Sequence, residues 1–121
     1  MWQVLQNVRV GVAGVYTTVG DLFRWDQNFY DGRVGSSKLV KGLYETGTLN
    51  DGQRTNYAFG LYVNSYRGLR VIEHGGDLAG YRAWLKRFPD RRLTVACLCN
   101  LRAIPQGDLA TRVADIYLGL P

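Results

Sequence analysis

Apolar residues recur at helical spacing early in the chain and at strand spacing from Tyr57 onward. Val19, Leu22, Phe23, Phe29 and Tyr30 fall near one face of a helix. Thr18 stands where an N-cap belongs, Asp21 lies in the first turn, and Asp31-Gly32 supplies the stop. The glycine-rich stretch from Gly11 to Gly14 reads as loop ahead of it. A second, shorter helix is expected from Ser37 to Thr46, with Leu39, Val40 and Leu43 inward and Gly47 ending it, followed by a turn at Asn50-Asp51-Gly52.

Four strands are expected next: Phe59 to Asn64, Leu69 to Glu73, Tyr81 to Phe88 and Leu93 to Asn100. Turn signals separate them at Arg67-Gly68, Gly75-Gly76 and Pro89-Asp90. Short turns between successive strands imply an antiparallel meander. In the last strand Val95, Cys97 and Cys99 face one way and Ala96 and Leu98 the other, so both of its faces should be covered. Gln106 to Leu118 reads as a closing amphipathic helix with Leu109, Val113, Ile116 and Tyr117 on its buried side. The fold class expected is α+β, an antiparallel sheet of about four strands flanked by N-terminal and C-terminal helices.

Length and composition narrow this little further. The chain has 121 residues, 46% hydrophobic, which suits residues 1–121 as a single domain. No apolar run approaches the roughly 18 residues of a membrane span, and the first residues lack the layout of a signal peptide, so no membrane partner is expected. Nothing in the sequence assigns a compartment. The net charge of +5 comes from basic residues interleaved with strand-like ones rather than from a block, and a solvated sheet explains them. Cys97 and Cys99 point to the same face of one strand, which places them badly for bridging each other, and with a single His they form no metal constellation. No metal or cofactor is expected.

The one His stands in Glu73-His74-Gly75-Gly76-Asp77, beside a glycine pair that lets another backbone approach closely. Alone, this pattern fits an ordinary turn edge. The ordered set around it resembles the C-terminal half of the serine β-lactamase-like family, which includes penicillin-binding proteins, D-alanyl-D-alanine carboxypeptidases and related esterases. Tyr16-Thr17-Thr18 with Asp21-Leu22 and Arg24-Trp25 is similar to that family's Y-S-T-x-x-D-L-x-R-W helix entry. Tyr57-Ala58-Phe59-Gly60-Leu61 resembles its Y-G-x-G-W/L strand, and His74-Gly75-Gly76 takes the place of its K-T-G or H-x-G triad. Gly80-Tyr81 and the run from Phe88-Pro89-Asp90 through Val95 to Asn100 resemble the elements that follow.

The resemblance implies a site. His74 would face the nucleophile across the cleft, the strand edge at Gly75 and Gly76 would pair with an extended acyl or peptide substrate, and the backbone N–H of Asp77 would be one oxyanion-hole donor. Gly75 departs from the triad's usual Thr or Ser and so removes a hydroxyl that would hold a substrate carboxylate, which leaves an ester or other acyl substrate open. The nucleophile motif S-x-x-K is missing, since none of Ser36, Ser37 or Ser65 has Lys three residues later. Tyr62-Val63-Asn64 shares the letters of the family's Y-x-N motif but stands in a strand just before His74, and is read as a coincidence. The expectation is the C-terminal segment of a serine hydrolase, inactive alone, whose first two motifs precede Met1.

Two other classes stay open. One is a non-catalytic module that holds peptides or acyl groups on the His74 strand edge. The other is a basic nucleic-acid binder using Trp84, Lys86, Arg87, Arg91 and Arg92 on one hairpin; it ranks last, so no nucleic-acid partner is expected. A homo-oligomer is expected, because the apolar strand Leu93 to Asn100 would lack its neighbour unless Met1 to Val10 substitutes for it.

Overall fold

The structure, a computed structural model, describes residues 14–119. Its elements run α1 (Val19–Asp31), α2 (Ser36–Gly42), β1 (Tyr62–Tyr66), β2 (Leu69–Leu78), β3 (Tyr81–Phe88), a 3-10 turn (Pro89–Arg91), β4 (Leu93–Cys99) and α3 (Gln106–Leu118). The four strands form one antiparallel sheet in chain order. This is the expected α+β meander. Residues 11–13 of the expected glycine-rich loop and the expected substitute strand from Met1 to Val10 lie outside the described residues.

α1 begins and ends where its capping residues dictate. The Thr18 hydroxyl accepts from the N–H of Asp21, and Gly32 closes the helix at φ 61°. Its expected face is only partly buried: Leu22 and Phe29 are half-buried but Val19, Phe23 and Tyr30 are exposed, and the fully buried residues are Asp26, on that same face, and Asn28. The partners explain why polar residues are the most buried. Asp26 accepts from the fully buried Arg87 of β3 and from the Thr94 hydroxyl of β4. Asn28 clamps the backbone of Val34, accepting from its N–H at 2.6 Å and donating to its carbonyl at 3.1 Å. A buried cation on the sheet thus draws a carboxylate inward where periodicity alone would place an apolar residue.

α2 ends at Gly42, short of the expected Thr46, because the chain turns there to bring Tyr44 to Arg87 Nη1 at 2.5 Å. Burial pushes the Tyr44 phenol up from its ordinary range, although the Arg87 charge beside it pulls the other way. Leu39, expected inward, is exposed, and Val40 is buried. β1 starts at Tyr62 rather than Phe59. Residues 58–61 form a tight turn, with Ala58 N–H bonded to the Leu61 carbonyl at 2.8 Å and Gly60 at φ 72°. β2 continues past Glu73 to Leu78, so Gly75-Gly76 is strand and the turn is Ala79-Gly80.

The sheet is covered on both faces. On one, Val71, Phe88 and Val95 pack against Ala110 and Ala114 of α3. Small residues let the helix lie close to the sheet, and Gly107 meets the Trp84 ring one turn earlier. That contact rotates α3 relative to expectation: Leu109, Ile116 and Tyr117 are exposed, while Val113 and Leu118 pack partly on the core. On the other face α1 lies against β4. β4 therefore has cover on both faces, as its apolar pattern predicts, except at Leu98, which is exposed. Among the described residues β4 is one of the two outer strands, β1 being the other. Cys97 and Cys99 are free thiols.

Candidate functional site

β2 carries the chemistry that the sequence points to, and its two neighbours determine which atoms it offers. Its partner β1 reaches only as far as the Tyr62–Glu73 pair, whereas β3 follows it through to the Leu78–Tyr81 pair. Beyond Glu73 one edge of β2 is therefore unpaired among the described residues. Both hairpins close on two-residue loops, Arg67-Gly68 and Ala79-Gly80, with all four loop residues at positive φ. Such a loop closes on a hydrogen-bonded pair, and bonded and non-bonded pairs alternate from there. Leu78, Gly76 and His74 thus bond across to β3. Gly75 and Asp77 turn their N–H and C=O groups to the open edge.

His74 is exposed and beside that edge, but it sits within β2 rather than at a strand end. Its ring stacks on Tyr62, with centroids 5.7 Å apart and planes 16° apart. Its Nε2 lies 3.4 Å from the Tyr57 hydroxyl. Tyr57 in turn meets Tyr62 edge to face at 4.7 Å. The Tyr57 carbonyl accepts from Gly47 N–H at 2.9 Å and from the Thr55 hydroxyl at 3.1 Å, which fixes the backbone beneath the ring.

The two glycines are not equivalent. A Cβ on Gly75 would stand 2.3 Å from the Cε3 and Cζ3 atoms of Trp84, its cross-strand partner, so the ring itself excludes a side chain there. A Cβ on Gly76 would meet the Ala83 methyl at 3.6 Å, an ordinary contact. Asp77 holds Arg82 across the hairpin at 2.7 Å, and Arg82 also donates to the Arg102 carbonyl at 3.0 Å.

A polar network supports this stretch from the α3 side. Glu73 accepts from Asn64 at 3.1 Å and from the Trp84 indole at 3.2 Å, and pairs with Lys86 at 3.1 Å. Lys86 also donates to the Thr111 hydroxyl of α3 at 2.7 Å. Asn64 is tied back to Asn56 at 2.7 Å. Carboxylate and ammonium are both nearly buried, and each has more than one partner, which a buried ion pair needs to repay its desolvation. With Lys86 and Arg87 buried in ion pairs, the basic hairpin that suggested a nucleic-acid surface keeps only Arg91 and Arg92 exposed.

The structure therefore gathers His74, Gly75, Gly76 and the N–H of Asp77 along one strand edge. Tyr57 and Tyr62 join them, and sequence reasoning assigned neither a site role. The available signal was their position on either side of the Ala58–Leu61 turn, which folds the first tyrosine back over the second. Of the three serines weighed as nucleophiles, Ser65 lies on β1 opposite Arg70 and Ser36 and Ser37 begin α2. None is followed by Lys three residues on. The arrangement can orient an extended chain, donate backbone hydrogen bonds to it and present an imidazole. It does not itself supply an activated nucleophile.

Comparison with known proteins fits this geometry. A family model described as Beta-lactamase matches residues 2–118. D-aminopeptidases of Brucella anthropi and Brucella ovis are 30% and 29% identical over 112 residues, which is 93% of this chain and 21% of each of theirs. The chain thus spans about a fifth of the length of the curated relatives it matches.

Proposed function

The chain belongs to the Beta-lactamase family, and from that premise we propose that it forms the strand wall of a serine acyl hydrolase's active site. In this reading the serine and its lysine come from sequence outside these 121 residues. His74 faces them across the cleft, Gly75 on the open edge of β2 pairs with the substrate backbone while Gly76 leaves the approach clear of a side chain, and the Asp77 N–H donates to the oxyanion of the tetrahedral intermediate. The observation that carries the proposal is the open edge of β2 beyond Glu73, to which Gly75 and Asp77 direct their backbone groups beside an exposed imidazole.

The relatives' name suggests a substrate: a peptide or amide whose free amino end bears a D-residue. The Trp84 ring over Gly75 is consistent with this, because no hydroxyl side chain fits at the position where one would hold a substrate carboxylate. Hydrolysis of an ester by the same wall is chemically equivalent up to the leaving group. By itself the 121-residue chain should bind without turning over, since the wall lacks its nucleophile.

The test is a chimera in which this chain replaces the matching segment of a Brucella D-aminopeptidase. It should hydrolyse D-alanine p-nitroanilide, and His74→Ala should lower kcat on the order of 10²-fold, the scale of one lost transition-state donor. A folded chimera that accepts a fluorophosphonate label and is indifferent to His74→Ala would remove His74 from the reaction. Stoichiometric fluorophosphonate labelling of Ser36, Ser37 or Ser65 in the 121-residue chain would overturn the assignment of the nucleophile to another segment.

A further inference from the structure

A neutral imidazole has two faces to its chemistry: one nitrogen donates, the other accepts, and the neighbours decide which is which. At His74 the decision falls to one contact. Nε2 lies 3.4 Å from the Tyr57 hydroxyl, and Nδ1 has no protein partner among the described residues. The Tyr57 hydroxyl likewise has His74 as its one hydrogen-bond partner there. A phenol O–H is a better donor than an imidazole N–H, and an imidazole lone pair is a better acceptor than a phenolic oxygen. The favoured pairing is therefore Tyr57 O–H donating to Nε2.

We infer that Tyr57 is a positioning residue that holds His74 in the tautomer protonated on Nδ1, with Tyr62 fixing the plane of the ring by stacking. The consequence is chemical. With Nε2 occupied, the nitrogen left to a ligand is Nδ1–H, a hydrogen-bond donor. His74 thereby offers a donor without carrying a charge, and acquires a fixed orientation on an exposed strand edge. The Tyr57 backbone is restrained by the Gly47 and Thr55 bonds to its carbonyl and by the bridge to Tyr62, and its ring packs edge to face on Tyr62, which limits its rotation. The catalytic meaning of this tautomer rests on the proposed hydrolase site, whereas the tautomer itself does not.

Because the chain has a single His, its ring can be read without assignment ambiguity. In the ¹⁵N-labelled 121-residue chain, long-range ¹H–¹⁵N correlations recorded at a pH where the imidazole is neutral report the Nδ1–H to Nε2–H ratio. The urea-unfolded chain gives the unconstrained ratio. Folding should raise the Nδ1–H to Nε2–H ratio by roughly threefold or more, the factor that a net hydrogen bond of ordinary strength sustains. Tyr57→Phe, which keeps the ring and removes the hydroxyl, should return the ratio toward the unfolded value while leaving the ring-current shift from Tyr62 in place. Tyr62→Leu should abolish that shift. A folded wild-type ratio equal to the unfolded one, or shifted further toward Nε2–H, overturns the inference even if neither variant folds. So does a folded Tyr57→Phe variant with the wild-type ratio. Failure of the hydrolase reading is separate: a locked tautomer in a chimera indifferent to His74→Ala leaves the positioning intact and removes only its catalytic use.

Discussion

The six-membered ring of Trp84 lies so close over Gly75 that a Cβ there would stand 2.3 Å from two of its carbons. The ring cannot retreat freely, since its far side meets Gly107 of α3 and its indole N–H is bonded to Glu73. Gly75→Thr should therefore destabilise the chain by about 1–3 kcal/mol, the scale of overpacking a filled site. Urea unfolding checks this. Gly75→Thr combined with Trp84→Leu should recover part of the loss, and a single variant as stable as wild type would show that the ring moves aside.

Gly76→Ala separates architecture from use. Its new methyl would meet Ala83 at an ordinary 3.6 Å, so the unfolding free energy should stay within about 0.5 kcal/mol of wild type, as for other unstrained substitutions. In the chimera the same change should raise KM, because the methyl narrows the approach of a pairing backbone. Unchanged kinetics would argue against substrate pairing at this edge.

The buried pair of Asp26 and Arg87 joins α1 to the sheet. Arg87→Met leaves the Asp26 carboxylate buried without its cation, with only the neutral donors Thr94 and Gln27, and should cost about 3–5 kcal/mol. Asp26→Leu with Arg87→Met removes both charges and should be markedly more stable than Arg87→Met alone. Chemical denaturation of the two variants measures the difference, and a double variant no better than the single would assign the loss to packing against Phe29.

Cys97 gives a pH signature. Burial, and then the neighbouring Cys99, push its thiol above the ordinary thiol range. The unfolded thiol ionises first, so this contribution to stability is complete below about pH 8.5 and is lost as pH rises through the folded value. In a Cys99→Ser background, iodoacetamide should modify Cys97 with its rate rising at higher pH in the folded chain than in urea. Coincident pH profiles would contradict the burial effect. Tyr44, also raised, adds a loss of the same sign at more alkaline pH.

Local chemistry made some of this fold legible and non-local pairing hid the rest. Thr18, Asp21 and Gly32 bound α1 because capping is decided within one turn. The four-strand meander is readable from short turns between period-two runs. Gly75-Gly76 looked like a turn because a glycine pair usually is one. Here its glycine content serves Trp84, further along in sequence and opposite in the sheet, while the true turn places Ala79 at φ 52°, a position that alanine does not advertise. The most buried position of α1 was not legible, because Asp26 answers a cation 61 residues away. His74, Gly75, Gly76 and Asp77 were recognisable as an ordered set. Tyr57 and Tyr62 were not, since only the turn between them brings the first ring to the imidazole.

The ten-residue length of β2 has a meaning beyond reach. A strand held by two-residue loops at both ends, toward neighbours on opposite sides, closes correctly only when its count is even: Leu69 must bond one way and Leu78 the other. Loss of a single residue between them cannot be absorbed by sliding, because parity would send the Asp77 N–H into the ladder and the His74 ring to the α3 side. Length variation in this strand is thus confined to steps of two or to changes accompanied by a bulge.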